Sequence, residues 1–253
     1  MSQTKELKTK VRSSISKAEF ISRREVLLKG GKGVRAPGNI ADHFPMFIRR
    51  QDFVRYLSRY ELFKLILNVK GSIVEGGVRY GSSLMLFAHL SSIYEPHALS
   101  RKIIGFDMFE GIIQNDGKKD DKDAFPIGRF SESDIDFLKE CIALYDMARL
   151  MGGIQKIQLV KGDATKTIPK FFKENPYVIV ALLYLDFNLY APTKTAYDVI
   201  IPRMPKGAVI AFDELNSKEC RGETLALLDS IGVSKLKIRK IPIDPYVSYA
   251  ILE

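Results

Sequence analysis

The stretch VALLYLDFNLYAP, residues 180–192, constrains the fold more than any other part of the chain. It closes a run of nine apolar or aromatic residues, 177–185, that stops at Asp186. An unalternating run of this length fits a central strand buried on both faces of a parallel sheet. A carboxylate at the end of such a strand needs a partner or a place at the sheet's mouth. In open α/β sheets that mouth, beyond the carboxyl ends of the strands, is where ligands bind. Asp186 is therefore the candidate reaction centre, and Pro192 opens the next helix.

From residue 72 onward, strand and helix patterns alternate, the signature of a parallel sheet. Strands are expected at 72–75, 102–106, 156–160, 177–185 and 208–212. Helices are expected at 82–94, 133–151 (with Ser131 or Ser133 as N-cap), 164–174, 192–203 and 223–230. Two final strands, 235–241 and 246–252, have no helix between them and predict an antiparallel pair at the sheet edge. The fold class is α/β, a seven-stranded, mostly parallel sheet with helices on both faces. Upstream, 18–29 and 51–67 read as helices, whereas 1–16 is polar and frayed or weakly helical. The glycine-rich segment 29–33 lacks both a preceding strand and the spacing of a phosphate loop, so it reads as a flexible basic loop. Pro37 and Pro45 bound a further loop. The chain thus divides into a basic, mainly helical N-terminal arm or lid, 1–70, and a domain at 71–253. That domain carries an insert at 108–155.

A chain of 253 residues can bury one sizeable core. Two distant cysteines, Cys141 and Cys220, exclude a disulfide framework and fit a reducing, cytoplasmic setting. Met1–Arg12 is polar and predicts no secretory leader, and no apolar run is long enough to span a membrane. His43, His89 and His97 show no metal-ligand spacing. The net charge of +9 is uneven: residues 1–70 hold 16 Lys/Arg against 6 Asp/Glu, and the remainder is nearly balanced. The basic arm is either a solvated extension or one that meets anionic groups such as phosphates, an acidic glycan or nucleic acid.

Acids stand at four strand ends: Glu75, Asp107, Asp186 and the pair Asp213-Glu214. In Glu75-Gly76-Gly77-Val78-Arg79-Tyr80-Gly81-Ser82-Ser83, the glycines either bring backbone close to a ligand at a helix N-terminus or make a tight packing turn. The spacing Gly77-x-x-x-Gly81 differs from the Gly-x-Gly-x-x-Gly of dinucleotide sites, and acid-x-Gly-x-x-x-Gly is the commoner arrangement for S-adenosylmethionine. Asp107, 30 residues beyond Gly77, can accept both hydroxyls of a ribose. Asp163, before Ala164, falls where an adenine amino group can be read and also suits a helix N-cap. Asp186, Asp213 and Glu214 would repel one another unless a cation joins them. Without His or Cys, such oxygen ligands favour Mg²⁺ or a similar ion. Pairing with Lys218 and Arg221 is the alternative.

These residues resemble the macrocin O-methyltransferase family, metal-dependent S-adenosylmethionine enzymes that methylate sugar hydroxyls. The resemblance runs from about residue 72 to 228. It is carried by IVEGGVRYGSSL (73–84), IGFDMFEG (104–111), VKGDATKTIP (160–169), LDFNLYAPTKTA (185–196), Phe212-Asp213-Glu214 and Gly222-Glu223-Thr224. It implies a class I methyltransferase fold with S-adenosylmethionine against Glu75, Gly76, Gly77, Gly81, Ser82, Ser83, Asp107, Met108, Asp163 and Ala164. It also implies a divalent metal on Asp186, Asp213 and Glu214, with Asp186 the general base or beside it. Two positions depart from the family pattern: Asn188 and Glu214 stand where an Asp is usual. Asn188 cannot act as a base, which opens the alternative of a weak or non-catalytic S-adenosylmethionine-binding protein.

The expected acceptor is a sugar-containing small molecule or glycan, with Tyr190 and His43 as either substrate contacts or structural residues. A catechol-like phenol is the alternative acceptor. Nucleic acid is disfavoured, because the arm interleaves few aromatics with its charge. A homodimer is compatible with the sequence.

Overall fold

The computed structural model describes residues 17–30 and 42–253. The expectations for 1–16, for Gly31, Lys32 and Gly33, and for Pro37 fall outside them. Two compact units arise, Met1–Val54 and Arg55–Glu253. In the first, helix α1 (Lys17–Gly30) matches the expected 18–29, and the ring of Phe44 packs 6.2 Å from that of Phe53. Helix α2 (Arg50–Leu65) supplies Leu62 and Phe63 to the core of the second unit.

The second unit holds a seven-stranded sheet of β1 (Ser72–Gly76), β2 (Ile103–Asp107), β3 (Ile157–Lys161), β4 (Val180–Leu185), β5 (Val209–Phe212), β6 (Arg239–Lys240) and β7 (Ser248–Ile251). The order is β3-β2-β1-β4-β5-β7-β6. Strands β1 to β5 are parallel, and β7 pairs antiparallel with both β5 and β6. Between the strands lie helices α3 (Ser82–Tyr94), α4 (Ile135–Ala148), α5 (Ala164–Glu174), α6 (Tyr190–Ile200) and α7 (Arg221–Asp229). This is the expected class I methyltransferase architecture. All six residues of β4 are fully buried, because β1 and β5 flank it and helices cover both faces. Ile73, Tyr184 and Ala211 pack with Leu84 and Phe87 on one face. On the other, Val74, Leu183, Leu185 and Phe212 pack with Ile168, Phe172, Tyr197 and Leu227.

Several boundaries differ from expectation. The central strand starts at Val180 rather than 177, since Tyr177 lies in solvent, 79% exposed. The insert helix starts at Ile135, and its N-cap is Asp134 rather than Ser131 or Ser133. The Asp134 carboxylate accepts the amides of Asp136 and Phe137 at 3.0 Å. An Asp side chain satisfies two of the first-turn donors there. Helix α6 begins at Tyr190, two residues before Pro192, and a 3₁₀ turn, Ile201–Arg203, follows it. The strand expected over 235–241 shrinks to Arg239 and Lys240, because it lies at the outer edge with one neighbour. No helix among the described residues is long and apolar enough to cross a membrane.

Candidate active site

The sheet order reverses between β1 and β4, and the crevice outside such a reversal is the usual ligand site of open α/β sheets. A cavity of about 780 Å³ opens there. Its walls include Gly77, Asp107, Met108, Asp163 and Ala164 from one side of the reversal, and Asp186, Asp213 and Glu214 from the other. Glu75, Gly76, Gly81, Ser82 and Ser83 do not line it. They build the turn beneath.

That turn explains its own glycines. Gly77 has φ +89°, and a methyl group on it would overlap the carbonyl oxygen of Asp186. A Cβ on Gly76 would run into the ring of Phe187. The Asp186 amide donates to the Gly76 carbonyl at 2.8 Å, so the ends of β1 and β4 are pressed together. Glu75 is buried, and one of its carboxylate oxygens has no hydrogen-bond partner among the described residues. Burial, helped by Asp107 and Asp213 and opposed by Arg59, holds its carboxyl well above the usual range.

Asp107 accepts the Arg79 amide at 2.8 Å on one oxygen and the Phe109 amide at 2.7 Å on the other. Arg79 and Phe109 both have positive φ, +51° and +55°. Non-glycine residues seldom adopt this backbone, and it gathers at functional sites. Asp163 is the N-cap of α5, accepting the amide and hydroxyl of Thr165. It also faces the cavity, so both of its expected roles are compatible with its position.

The acids at the ends of β4 and β5 have counter-charges that sequence reasoning missed. Asp213 is 2% exposed and pairs with Arg59 at 3.0 Å and Arg55 at 3.1 Å, while the Tyr184 hydroxyl donates to it as well. The expected alternative partners, Lys218 and Arg221, do not pair with it. The Arg221 guanidinium instead donates to the Asp120 carbonyl. The available signal was helical phase: Arg59 precedes Leu62 and Phe63 by three and four residues, on the face that α2 buries.

Asp186 sits at the cavity wall, and no Lys or Arg among the described residues forms an ion pair with it. Burial, then the charges of Asp213 and Glu223, push its carboxyl well above the usual range, against Arg59 and Arg55. Asn188, at φ +61°, donates its side-chain amide to the Asp186 carboxylate at 3.3 Å. The Cys220 thiol donates to Glu214 and, at 3.4 Å, to the Asn188 side-chain oxygen. Glu223, which the sequence singles out in a family motif without a role, is 1% exposed and accepts the amides of Asn188 and Glu214. Burial and the Asp213 charge push its carboxyl up to about 8. Among the described residues, no three acids, histidines or cysteines are gathered on one point as a ready metal cage. The donor chemistry nonetheless suits a hard cation, since Asp186, Asp213 and Glu214 all offer carboxyl oxygens to the one cavity.

Two other candidates lie elsewhere. Tyr190 turns from the cavity, donating its hydroxyl to Asp229 at 2.9 Å under Lys119, 3.6 Å above its ring. His43 belongs to the first unit and precedes the short 3₁₀ turn Phe44–Met46.

The sequence model of the Macrocin-O-methyltransferase (TylF) family matches residues 64–234. No curated protein sequence matches the chain. The crystal structure of CalS11, a calicheamicin methyltransferase, superposes with a TM-score of 0.88 at 32% identity, covering 95% of this chain and 94% of that one. An apo structure of CalS11, named as a TDP-rhamnose 3'-O-methyltransferase of calicheamicin biosynthesis, gives 0.80 at 31% identity over 95% and 96%. The O-methyltransferase NovP shares the fold, with a TM-score of 0.63 at 18% identity over 79% of each chain. With the family's sequence signature and the fold of a relative matched over nearly the whole chain, this protein belongs to the macrocin O-methyltransferase family and is an S-adenosylmethionine-dependent O-methyltransferase.

Proposed function

We propose that the chain transfers a methyl group to a hydroxyl of a sugar, carried by a nucleotide, a glycan or a glycosylated metabolite, with the help of a divalent cation such as Mg²⁺. One observation carries the reading. A single cavity brings Asp107, Met108, Asp163 and Ala164 together with Asp186, Asp213 and Glu214, the acids that follow β4 and β5. The sugar acceptor is supported by CalS11, a TDP-rhamnose 3'-O-methyltransferase.

In this reading Asp107 takes the donor's ribose and Asp163 its adenine edge, over Gly77, Met108 and Ala164. Glu75, Gly76, Gly81, Ser82 and Ser83 hold the turn under it. S-adenosylmethionine supplies an electrophilic methyl, and a cation on Asp186, Asp213 and Glu214 would supply polarisation of the acceptor hydroxyl. Asp186, in its ionised form at the cavity wall, is the residue that takes the hydroxyl proton, and burial raises its affinity for it. Arg59 and Tyr184 keep Asp213 fixed while this happens. Orientation of donor and acceptor provides most of the acceleration.

The test is a methyl-transfer assay with S-adenosylmethionine and Mg²⁺ over free, nucleotide-linked and glycan-bound deoxysugars, repeated with chelator. Transfer to a catechol and to no sugar overturns the acceptor. Full activity after complete chelation overturns the cation, and full activity of Asp186→Ala overturns the proton acceptor.

A further inference from the structure

The hydrogen-bonded ladder between β4 and β5 ends at the pair Leu185 and Phe212, followed by one last bond from the Asp213 amide to the Leu185 carbonyl at 3.0 Å. Beyond it the two chains part, and each carries reactive acids away from the sheet. Their next amides do not pair with each other. The Asn188 amide donates to one carboxyl oxygen of Glu223 at 3.1 Å, and the Glu214 amide donates to the other at 3.3 Å. One buried side chain thus continues the cross-strand link, one oxygen per turn. Buried amides without such partners are costly.

We propose that Glu223 is a positioning residue, which sets the gap between the turn that carries Asp186 and the turn that carries Glu214. It does not line the cavity, so it acts through others. By fixing Asn188 it fixes the side-chain amide that holds Asp186. By fixing the Glu214 backbone it complements the Cys220 thiol, which holds the same residue's carboxylate. The base of this clamp is itself wedged. A Cβ on Gly222 would overlap Asp120 and come within 2.6 Å of the Tyr190 amide, so the first turn of α7 is seated against the start of α6. The functional part of the inference rests on the methyl-transfer reading, while the geometric part stands without it.

Glutamine at this position keeps one acceptor oxygen but replaces the other, which has a lone pair for the amide whether or not the carboxyl is protonated, with an NH₂ group that cannot accept. Aspartate keeps both oxygens but is one methylene too short to serve both turns. In the full chain, Glu223→Gln is compared with wild type in three measurements: the Kd of S-adenosylhomocysteine, steady-state kinetics on a nucleotide-linked deoxysugar with Mg²⁺, and amide hydrogen exchange. Expected are a Kd within about twofold, a kcat lowered by about 100-fold, as small misplacements of reacting groups produce, and exchange at least about tenfold faster at 186–188 and 213–214 but unchanged in β1 to β3. A kcat within about threefold of wild type overturns the proposal. So does a loss of donor affinity that parallels the loss of kcat, since that marks general loosening. Where Glu223→Gln does not fold, Glu223→Asp is read by the same criteria. If wild type methylates no sugar, the acceptor reading falls by itself. Hydrogen exchange then decides on Glu223: faster exchange confined to the two turns upholds the clamp, and unchanged exchange removes it.

Discussion

Arg59 and Asp213 form an ion pair of 3.0 Å in which both side chains are almost wholly buried, 3% and 2% exposed. Removing one member of such a pair strands the other charge, at a cost of about 3–5 kcal/mol. Arg59→Ala should therefore lower the thermal midpoint by about 10 °C, given about 2–4 °C per kcal/mol for a domain of this size. Arg55 reaches the same carboxylate but is 48% exposed. Its removal should cost less than about 1 kcal/mol. Calorimetry of the two variants side by side decides this, and equal losses would contradict it.

Gly77 cannot carry a side chain, because its φ is +89° and Asp186 occupies the space. Gly77→Ala should cost about 1–3 kcal/mol in backbone strain alone. It should also part the ends of β1 and β4, weakening both donor binding and turnover. Calorimetry and binding of S-adenosylhomocysteine measure the two effects, and an unaltered Kd counts against this turn as the donor's seat.

Asp107→Asn keeps the shape but not the acceptors. One of the Arg79 and Phe109 amides would then face an NH₂ group. The loss of about 1–3 kcal/mol should appear as a roughly 10- to 100-fold weaker Kd for S-adenosylhomocysteine. Titration calorimetry checks it, with acceptor KM expected to change little.

Asn188→Asp tests the position that departs from the family pattern. The present amide donates to Asp186, whereas an aspartate would add a further negative charge beside it. In chelator the variant should be less stable than wild type by about 1–3 kcal/mol. With millimolar Mg²⁺ much of that deficit should vanish, because an added carboxylate strengthens a hard-cation site. Paired melting curves show it, and an equal deficit in both buffers would place residue 188 outside any cation's reach.

The pH dependence follows from Glu223. Its carboxyl is pushed up from 4.5 to about 8 in the folded chain, so between those values the folded state holds a proton that the unfolded state has lost. Stability from this group is complete below about pH 4.5 and is lost as the pH rises through about 8. Asp186 and Glu75 shift in the same direction and add to it. Without metal the midpoint should fall over this range. Glu223→Gln should flatten the slope, and scanning calorimetry at stepped pH reads both.

The strand that centres the sheet was legible because nine apolar residues without alternation leave few alternatives. The acids at the strand ends were legible because each interrupts such a strand at its carboxyl end. Arg59 was not, since a basic residue near the N-terminus reads as part of a charged arm until the helix is laid on the sheet. Its partner lies 154 residues away, beyond any local pattern. The role of Glu223 escaped for a related reason: an acid in a first helical turn ordinarily answers the helix dipole, and only packing shows it turned toward two other loops. The stretch 235–241 failed in the opposite sense. Its alternation of apolar and basic residues is strand-like, yet the sheet offers it a neighbour over two residues only.

That short strand has a consequence for the molecule among its own copies. A sheet edge normally presents a row of unpaired amides and carbonyls on which another chain can assemble. Here the β6 edge ends in Arg239 and Lys240, two exposed cations on a ladder too short to template a further strand. A second chain approaching this edge meets like charge before it can form a useful number of hydrogen bonds, which protects this side of the sheet from edge-to-edge aggregation.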